Sequence, residues 1–178
     1  MAEPAQMHEI QSKPRPPLVT RGAIVAYVVA LVVIGLDQAA KWWILNVIDL
    51  DHRPAIQVLP FFDLQMVWNQ GVSYGLLRAD SDVGRWLLVA FALGMTAVLA
   101  YVARGVRRPA MVAILGLIMG GAVGNVIDRI RFGAVADFLD FHALYFPWVF
   151  NVADSAISIG VILFLLDSFL SPKSKPAA

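Results

Sequence analysis

Two aspartates stand in apolar surroundings late in the chain: Asp137 in Val135-Ala136-Asp137-Phe138-Leu139, and Asp154 in Phe150-Asn151-Val152-Ala153-Asp154-Ser155. A charge in such a place is costly, so an acid persists there only where it is partnered or used. Two carboxylates held close together cannot both ionise and so share a proton. One can then act as general base toward water while the other protonates a carbonyl or leaving group, the chemistry of an aspartyl protease. A plainer role is also open for Asp154. Asn151 is a good helix N-cap, and an acid in the first helical turn suits the helix dipole. The two roles do not compete.

Other polar residues fall at helical spacings. Asp37 and Lys41 are one turn apart with the acid first, the better order for an i, i+4 pair. Either Lys41 snorkels to the headgroups from an interfacial pair, or the two support a site. Asn125, Asp128 and Arg129 can project to one side of a helix end. Asp128 and Arg129 are expected to form an ion pair, and the cation would suit a nearby carboxylate or a lipid phosphate. Just before them Gly116, Gly120 and Gly124 repeat at i+4, a smooth stripe that admits a neighbouring helix.

Competing chemistries lack parts. His8, His52 and His142 lie in three separate regions without metal-ligand spacing, and there is no cysteine, so neither a metal site nor a thiol nucleophile is expected. Ser73 and Ser155 lack a Gly-x-Ser-x-Gly setting, while a Ser–Lys pair with Lys41 stays open at this level. A formal net charge of +1 and the absence of a basic stripe interleaved with aromatics argue against a nucleic-acid partner.

The elements that must position these residues are apolar. Of 178 residues 59% are hydrophobic and 15% charged, with a mean hydropathy of +0.70. Four segments approach or exceed the roughly 20 residues a membrane span needs: about 18–45, 86–103, 110–127 and 148–170, the second and third being tight fits. They form one four-helix membrane domain over 18–170. The tail 1–17 reads as disordered, and 171–178 is a second tail. The first apolar run is followed by Asp37-Gln38-Ala39-Ala40-Lys41 rather than a small-x-small site, so it is expected to be retained.

Four spans put both termini on one side, with Lys13, Arg15, Arg21, Arg104, Arg107, Arg108, Lys173 and Lys175. That side is expected to be cytoplasmic. The other side holds Lys41, Arg53, Arg78, Arg85, Arg129 and Arg131 with most of the acids. Its longer connection contains Phe62-Asp63-Leu64-Gln65-Met66-Val67-Trp68, an alternating strand pattern that puts Phe62, Leu64, Met66 and Trp68 on one face. In its shorter connection Asp137 falls in a short loop, and Tyr145, Phe146 and Trp148 stand where an aromatic belt would.

Taken in order, these blocks resemble a known family. Asp37-Gln38-x-x-Lys41, Asn69-x-Gly71 with Ser73 and Tyr74, Gly120 to Arg129, Val135-x-Asp137-Phe138, and Phe150-Asn151-x-Ala153-Asp154-Ser155-Ala156-Ile157 are similar to the motifs of the lipoprotein signal peptidases, the type II signal peptidases of bacteria. The likeness runs from Asp37 to Gly160, with small departures at Ala40 and Val72.

The resemblance implies an all-α integral membrane protein of four transmembrane helices, with a small β-cradle and a short helix on the periplasmic face of the inner membrane. It implies an aspartic endopeptidase without cofactor that cuts diacylglyceryl-modified prolipoproteins before the lipidated cysteine. Asp137 and Asp154 would be the catalytic pair. Asn69, Gly71, Asn125, Arg129 and Asn151 would position substrate or pair, and Asp37, Lys41 and Asp128 would hold the frame. Prolipoproteins and membrane lipids would be the partners, with no oligomer implied. The rival readings are a small transporter or proton relay, which would spread its acids through the membrane depth, and a structural subunit that would tolerate amides at both aspartates.

Overall fold

A computed structural model describes residues 20–71 and 82–170. The tails and Val72, Ser73, Tyr74 and Arg78 lie outside the described residues. Four helices are long and apolar enough to cross a membrane: α1 (Arg21–Trp43), α2 (Asp82–Ala103), α3 (Pro109–Phe132) and α4 (Val152–Leu170). Between and beyond them lie β1 (Ile56–Leu59), β2 (Phe62–Asn69), β3 (Val135–Asp140) and β4 (Val149–Phe150), one antiparallel sheet in the order β1-β2-β3-β4. Among the described residues the other helical pieces are short: a π turn at Ile44–Ile48 that prolongs α1, and 3₁₀ turns at Leu50–His52 and His142–Leu144.

The helix ends follow local chemistry. Thr20 caps α1 by accepting the Ala23 amide at 3.1 Å. Pro109 occupies the first turn of α3, where its missing N–H costs nothing. That helix stops at Gly133, whose φ of 80° is the left-handed conformation that closes a helix C-terminus. It therefore runs beyond Ile127, the end expected from hydropathy, because Asp128, Arg129 and Arg131 lower the average without breaking the helix. The fourth span begins later than Trp148, since Val149–Phe150 pairs with Leu139 and Asp140 as a strand.

Helix α3 is the axis, packing against α1, α2 and α4. Its glycines set the distances. A methyl on Gly116 would meet Ala26 O at 2.7 Å, and one on Gly120 would meet Ala30 O at 2.7 Å, both in α1. Gly121 lies equally close to α4, against Ala153 O and Ile157. The expected stripe thus packs α1, and its off-register neighbour Gly121 packs α4.

The sheet covers one end of the bundle. Beneath it Ile44, Leu50 and Phe138 form a small core with Ile56, Leu64, Met66 and Val152 around it. Asp137 lies on β3 rather than in a loop, with Val135 to Phe138 all buried. The alternation expected in β2 is broken. Leu64 faces Leu139 and Val67 faces Asp137, so three residues on β2 span two on β3. This bulge rotates the strand: Trp68 lies on the face opposite Leu64, and Asn69 comes round to the face of Asp137.

Candidate active site

Asp37, Lys41 and Asp128 form a buried charged cluster below the sheet. The Lys41 ammonium lies 2.8 Å from Asp37 and 2.7 Å from Asp128, and its side chain is only 2% exposed. Lys41 does not snorkel: two carboxylates hold it inside. Each acid also fastens a neighbouring element. Asp37 Oδ1 accepts the Ala153 amide at 2.9 Å, tying α1 to the start of α4. Asp128 Oδ2 accepts the Ala136 amide at 3.2 Å, tying α3 to β3. Gln38, which carried no separate role in the motif reading, donates to Asp128 at 3.0 Å and accepts from Arg131 at 3.3 Å.

The expected Asp128–Arg129 ion pair is not formed. Successive helix residues point about 100° apart, and Asp128 faces Lys41 instead. Arg129 is half-buried and donates to Asn125 O at 3.4 Å. The charge that acts on it most strongly is Asp154, followed by Asp137.

Above the charged cluster, a run of amides links the two aspartates. Asn151 Nδ2 donates to Asp137 Oδ1 at 2.6 Å and to Asn125 Oδ1 at 3.1 Å. Asn125 Nδ2 donates to Asp154 Oδ1 at 2.7 Å, and its oxygen also accepts from Lys41 at 3.3 Å. On the other side Asn69 Nδ2 reaches Asp137 Oδ2 at 3.1 Å, and its own oxygen accepts the Gly71 amide at 3.0 Å. Asn151 also caps α4, its Oδ1 accepting the Asp154 amide at 2.9 Å. Asp137, Asp154, Asn69, Gly71, Asn125, Arg129 and Asn151 therefore converge on one site, with Asp37, Lys41 and Asp128 beneath.

The electrostatics separate the two acids. Asp137 is buried and Asp154 half-exposed. Burial, and then the charge of Asp154, push the Asp137 carboxyl up to about 7 against the hydrogen bonds from Asn69 and Asn151. One member of the pair thus holds a proton near neutral pH, which is what acid–base catalysis by two carboxylates needs.

The remaining alternatives look different in three dimensions. Ser155 donates its hydroxyl to Asn151 O at 2.9 Å, and Lys41 is held by two carboxylates, so these two do not form a Ser–Lys pair. Strand pairing does gather Asp63, Asp140 and His142, whose ligand atoms lie within 4.8 Å of one another. The histidine spacing gave no hint of this cluster, because the cross-strand pair Asp63 and Asp140 creates it. Alternation along β3 puts Asp140 on the face away from Asp137.

The fold and site define a polytopic membrane protein with a paired-carboxylate centre at one end of a four-helix bundle. A family model described as signal peptidase (SPase) II matches residues 29–170. The lipoprotein signal peptidase of Caulobacter vibrioides is 49% identical over 158 residues, covering 88% of this chain and 94% of that protein. That of Nitrobacter hamburgensis is 49% identical over 162 residues, covering 87% and 96%. A solved structure described as a bacterial membrane enzyme, obtained by the in meso method at 2.3 Å resolution, superposes with a TM-score of 0.69 at 26% identity, covering 86% of this chain and 94% of that one. The chain belongs to the signal peptidase II family.

Proposed function

We propose that the protein is an aspartic endopeptidase that cleaves diacylglyceryl-modified prolipoproteins before the lipidated cysteine, with Asp137 and Asp154 as the catalytic pair. The observation that carries the reading is the amide-linked run Asp137–Asn151–Asn125–Asp154, which holds one buried and one half-exposed carboxylate in a single polar site within a signal peptidase II chain.

In this reading the buried Asp137 supplies the pair's proton, and the more exposed Asp154 is the base. Asp154 takes a proton from water as its oxygen attacks the scissile carbonyl carbon. Asp137 gives its proton to the carbonyl oxygen. Collapse of the tetrahedral intermediate breaks the C–N bond as the proton on Asp154 passes to the leaving nitrogen and a hydroxyl proton of the intermediate returns to Asp137, restoring the pair. The products are a signal peptide with a new carboxylate and a lipoprotein with a free cysteine amine. Asn69, Asn125 and Asn151 orient the carboxyls, Arg129 steadies the developing charge, and Gly71 lies beside the substrate path.

In this reading the sheet and dyad face the periplasm, and the α2–α3 turn with Arg104, Arg107 and Arg108 lies in the cytoplasm with both termini. The protein works in the inner membrane. A signal peptide is itself a membrane helix whose cleavage site lies near the outer leaflet, the depth at which this site would act.

The test is cleavage of a diacylglyceryl prolipoprotein by the purified protein in lipid, beside Asp137→Asn and Asp154→Asn. Both variants should keep the wild-type melting profile and lose at least roughly a thousandfold in rate. Near-wild-type cleavage by either would remove that residue from the mechanism.

A further inference from the structure

An apolar groove opens on the dyad side of the sheet. It is an open hollow of about 400 Å³ lined by Phe141, Leu144, Phe146 and Phe150. Phe150 stands opposite Leu139 in the β3–β4 pairing. Alternation puts Leu139 on the same face as Asp137, two residues and roughly 7 Å along the strand. Phe150 also precedes Asn151, the residue that holds Asp137. From Phe150 the rings continue outward: Phe141 stacks on it at 5.7 Å, Phe146 meets it edge-on at 5.6 Å, and Phe62 stacks on Phe141 at 4.7 Å. The groove thus starts one cross-strand pair along β3 from Asp137, on the same face of the sheet, and its lining offers no polar side chain.

The geometry points to this groove as the seat of an acyl chain of the substrate's own diacylglyceryl group, a proposal that rests on the function given above. In such a substrate only the cysteine's Cα and Cβ separate the thioether from the scissile nitrogen. A glyceryl lipid attached there begins beside Asp137, and a chain running along Leu139 enters the groove after a few carbons. Moving a chain from bilayer to groove gains little transfer free energy, since both are apolar. What the groove supplies is position. A chain lodged against Phe141 and Phe146 fixes the thioether, and with it the scissile bond, relative to the two carboxylates. Peptides without lipid would lack that anchor.

The test compares two substrates of the same peptide, one carrying dipalmitoylglyceryl and one dibutyrylglyceryl, whose chains are too short to reach Phe141. The full-length enzyme in nanodiscs should prefer the long-chain substrate by roughly tenfold in kcat/KM. Leu144→Trp, which fills the groove, and Phe146→Ser, which opens it, should each bring that ratio close to one while leaving short-chain cleavage unchanged. Melting curves confirm that both variants fold, and two opposite changes of shape guard against the failure of either. A ratio unchanged in both variants overturns the proposal. So does an unchanged ratio accompanied by loss of a co-purifying phospholipid, which would assign the groove to a membrane lipid. Failure of the wild type to cut either substrate would instead overturn the peptidase reading itself.

Discussion

Asn151 Nδ2 donates to Asp137 Oδ1 at 2.6 Å while the oxygen of the same side chain caps α4 at the Asp154 amide, 2.9 Å away. One amide therefore starts the helix that carries one acid and holds the other acid in place. Its two N–H bonds are both used, the second going to Asn125. The two roles separate by substitution. Asn151→Ser keeps a capping oxygen and loses both donors, and Asn151→Ala loses everything. Ser should melt close to wild type and Ala should lose about 1 kcal/mol of stability. Both should lose most activity, by roughly a hundredfold, measured as kcat/KM on the prolipoprotein substrate. An active Ser variant would reduce Asn151 to a cap.

Beneath the site Lys41 neutralises two buried acids, and those acids hold the amides of Ala153 and Ala136. Replacing it by Met keeps much of the shape and strands Asp37 and Asp128 in a dry interior. Leaving a buried charge uncompensated costs about 3–5 kcal/mol. Lys41→Met should therefore melt far below wild type in detergent. The triple variant Lys41→Met, Asp37→Asn, Asp128→Asn removes the stranded charges and should regain a good part of the loss. If Lys41→Met alone melts like wild type, the cluster is not what joins α1, α3, β3 and α4.

The pH dependence follows from Asp137. Its carboxyl, ordinarily near 3.8, is pushed up to about 7 by burial and by Asp154. The sign is that of a raised acid. Between about pH 4 and 7 the folded state binds more protons than the unfolded one, so this group's contribution to stability falls as pH rises and levels off above 7. For catalysis, the pair loses its shared proton above about 7. The kcat/KM profile should therefore decline on the alkaline side with an apparent midpoint near 7 that belongs to the pair. Asp154→Asn removes the neighbouring charge, and carboxyl NMR of that variant should show Asp137 titrating lower. A profile flat through pH 9 would contradict the assignment of the proton to Asp137.

Residues at short helical spacing were legible in the sequence, and residues joined by sheet geometry were not. Asp37 with Lys41, and Asn151 before Asp154, were readable because i, i+4 and N-cap relationships are local. The strand status of Asp137 was hidden because β3 is buried on both faces from Val135 to Phe138, which removes the period-two signal. Asn69 reaches Asp137 only through the bulge in β2, and no propensity marks the extra residue in Gln65-Met66. Lys41 with Asp128, and Arg108 with Asp167 at 2.6 Å, pair over long separations that a single sequence does not encode locally. The family motifs picked out residues that the fold brings together, without giving the contacts that join them.

The glycines offer the sharpest test of the packing, because chemically identical changes should have opposite outcomes. A methyl on Gly120 would meet Ala30 O at 2.7 Å and the Val33 Cβ at 2.7 Å, with backbone on one side that cannot rotate away. Gly120→Ala must therefore push α1 from α3, and with it Asp37 from the Ala153 amide. A methyl on Gly35 or Gly94 meets nothing within 4 Å. There Ala should be neutral or stabilising by up to about 1 kcal/mol, since Gly is the poorer helix former. Thermal unfolding of the three single variants in one detergent would rank them Gly120→Ala lowest, with the other two at or above wild type. Activity should fall in the same variant alone, because displacing α1 also moves the start of α4 and Asp154 with it. If Gly120→Ala keeps both melting temperature and cleavage, the close α1–α3 contact is not what sets the spacing of the two carboxylates.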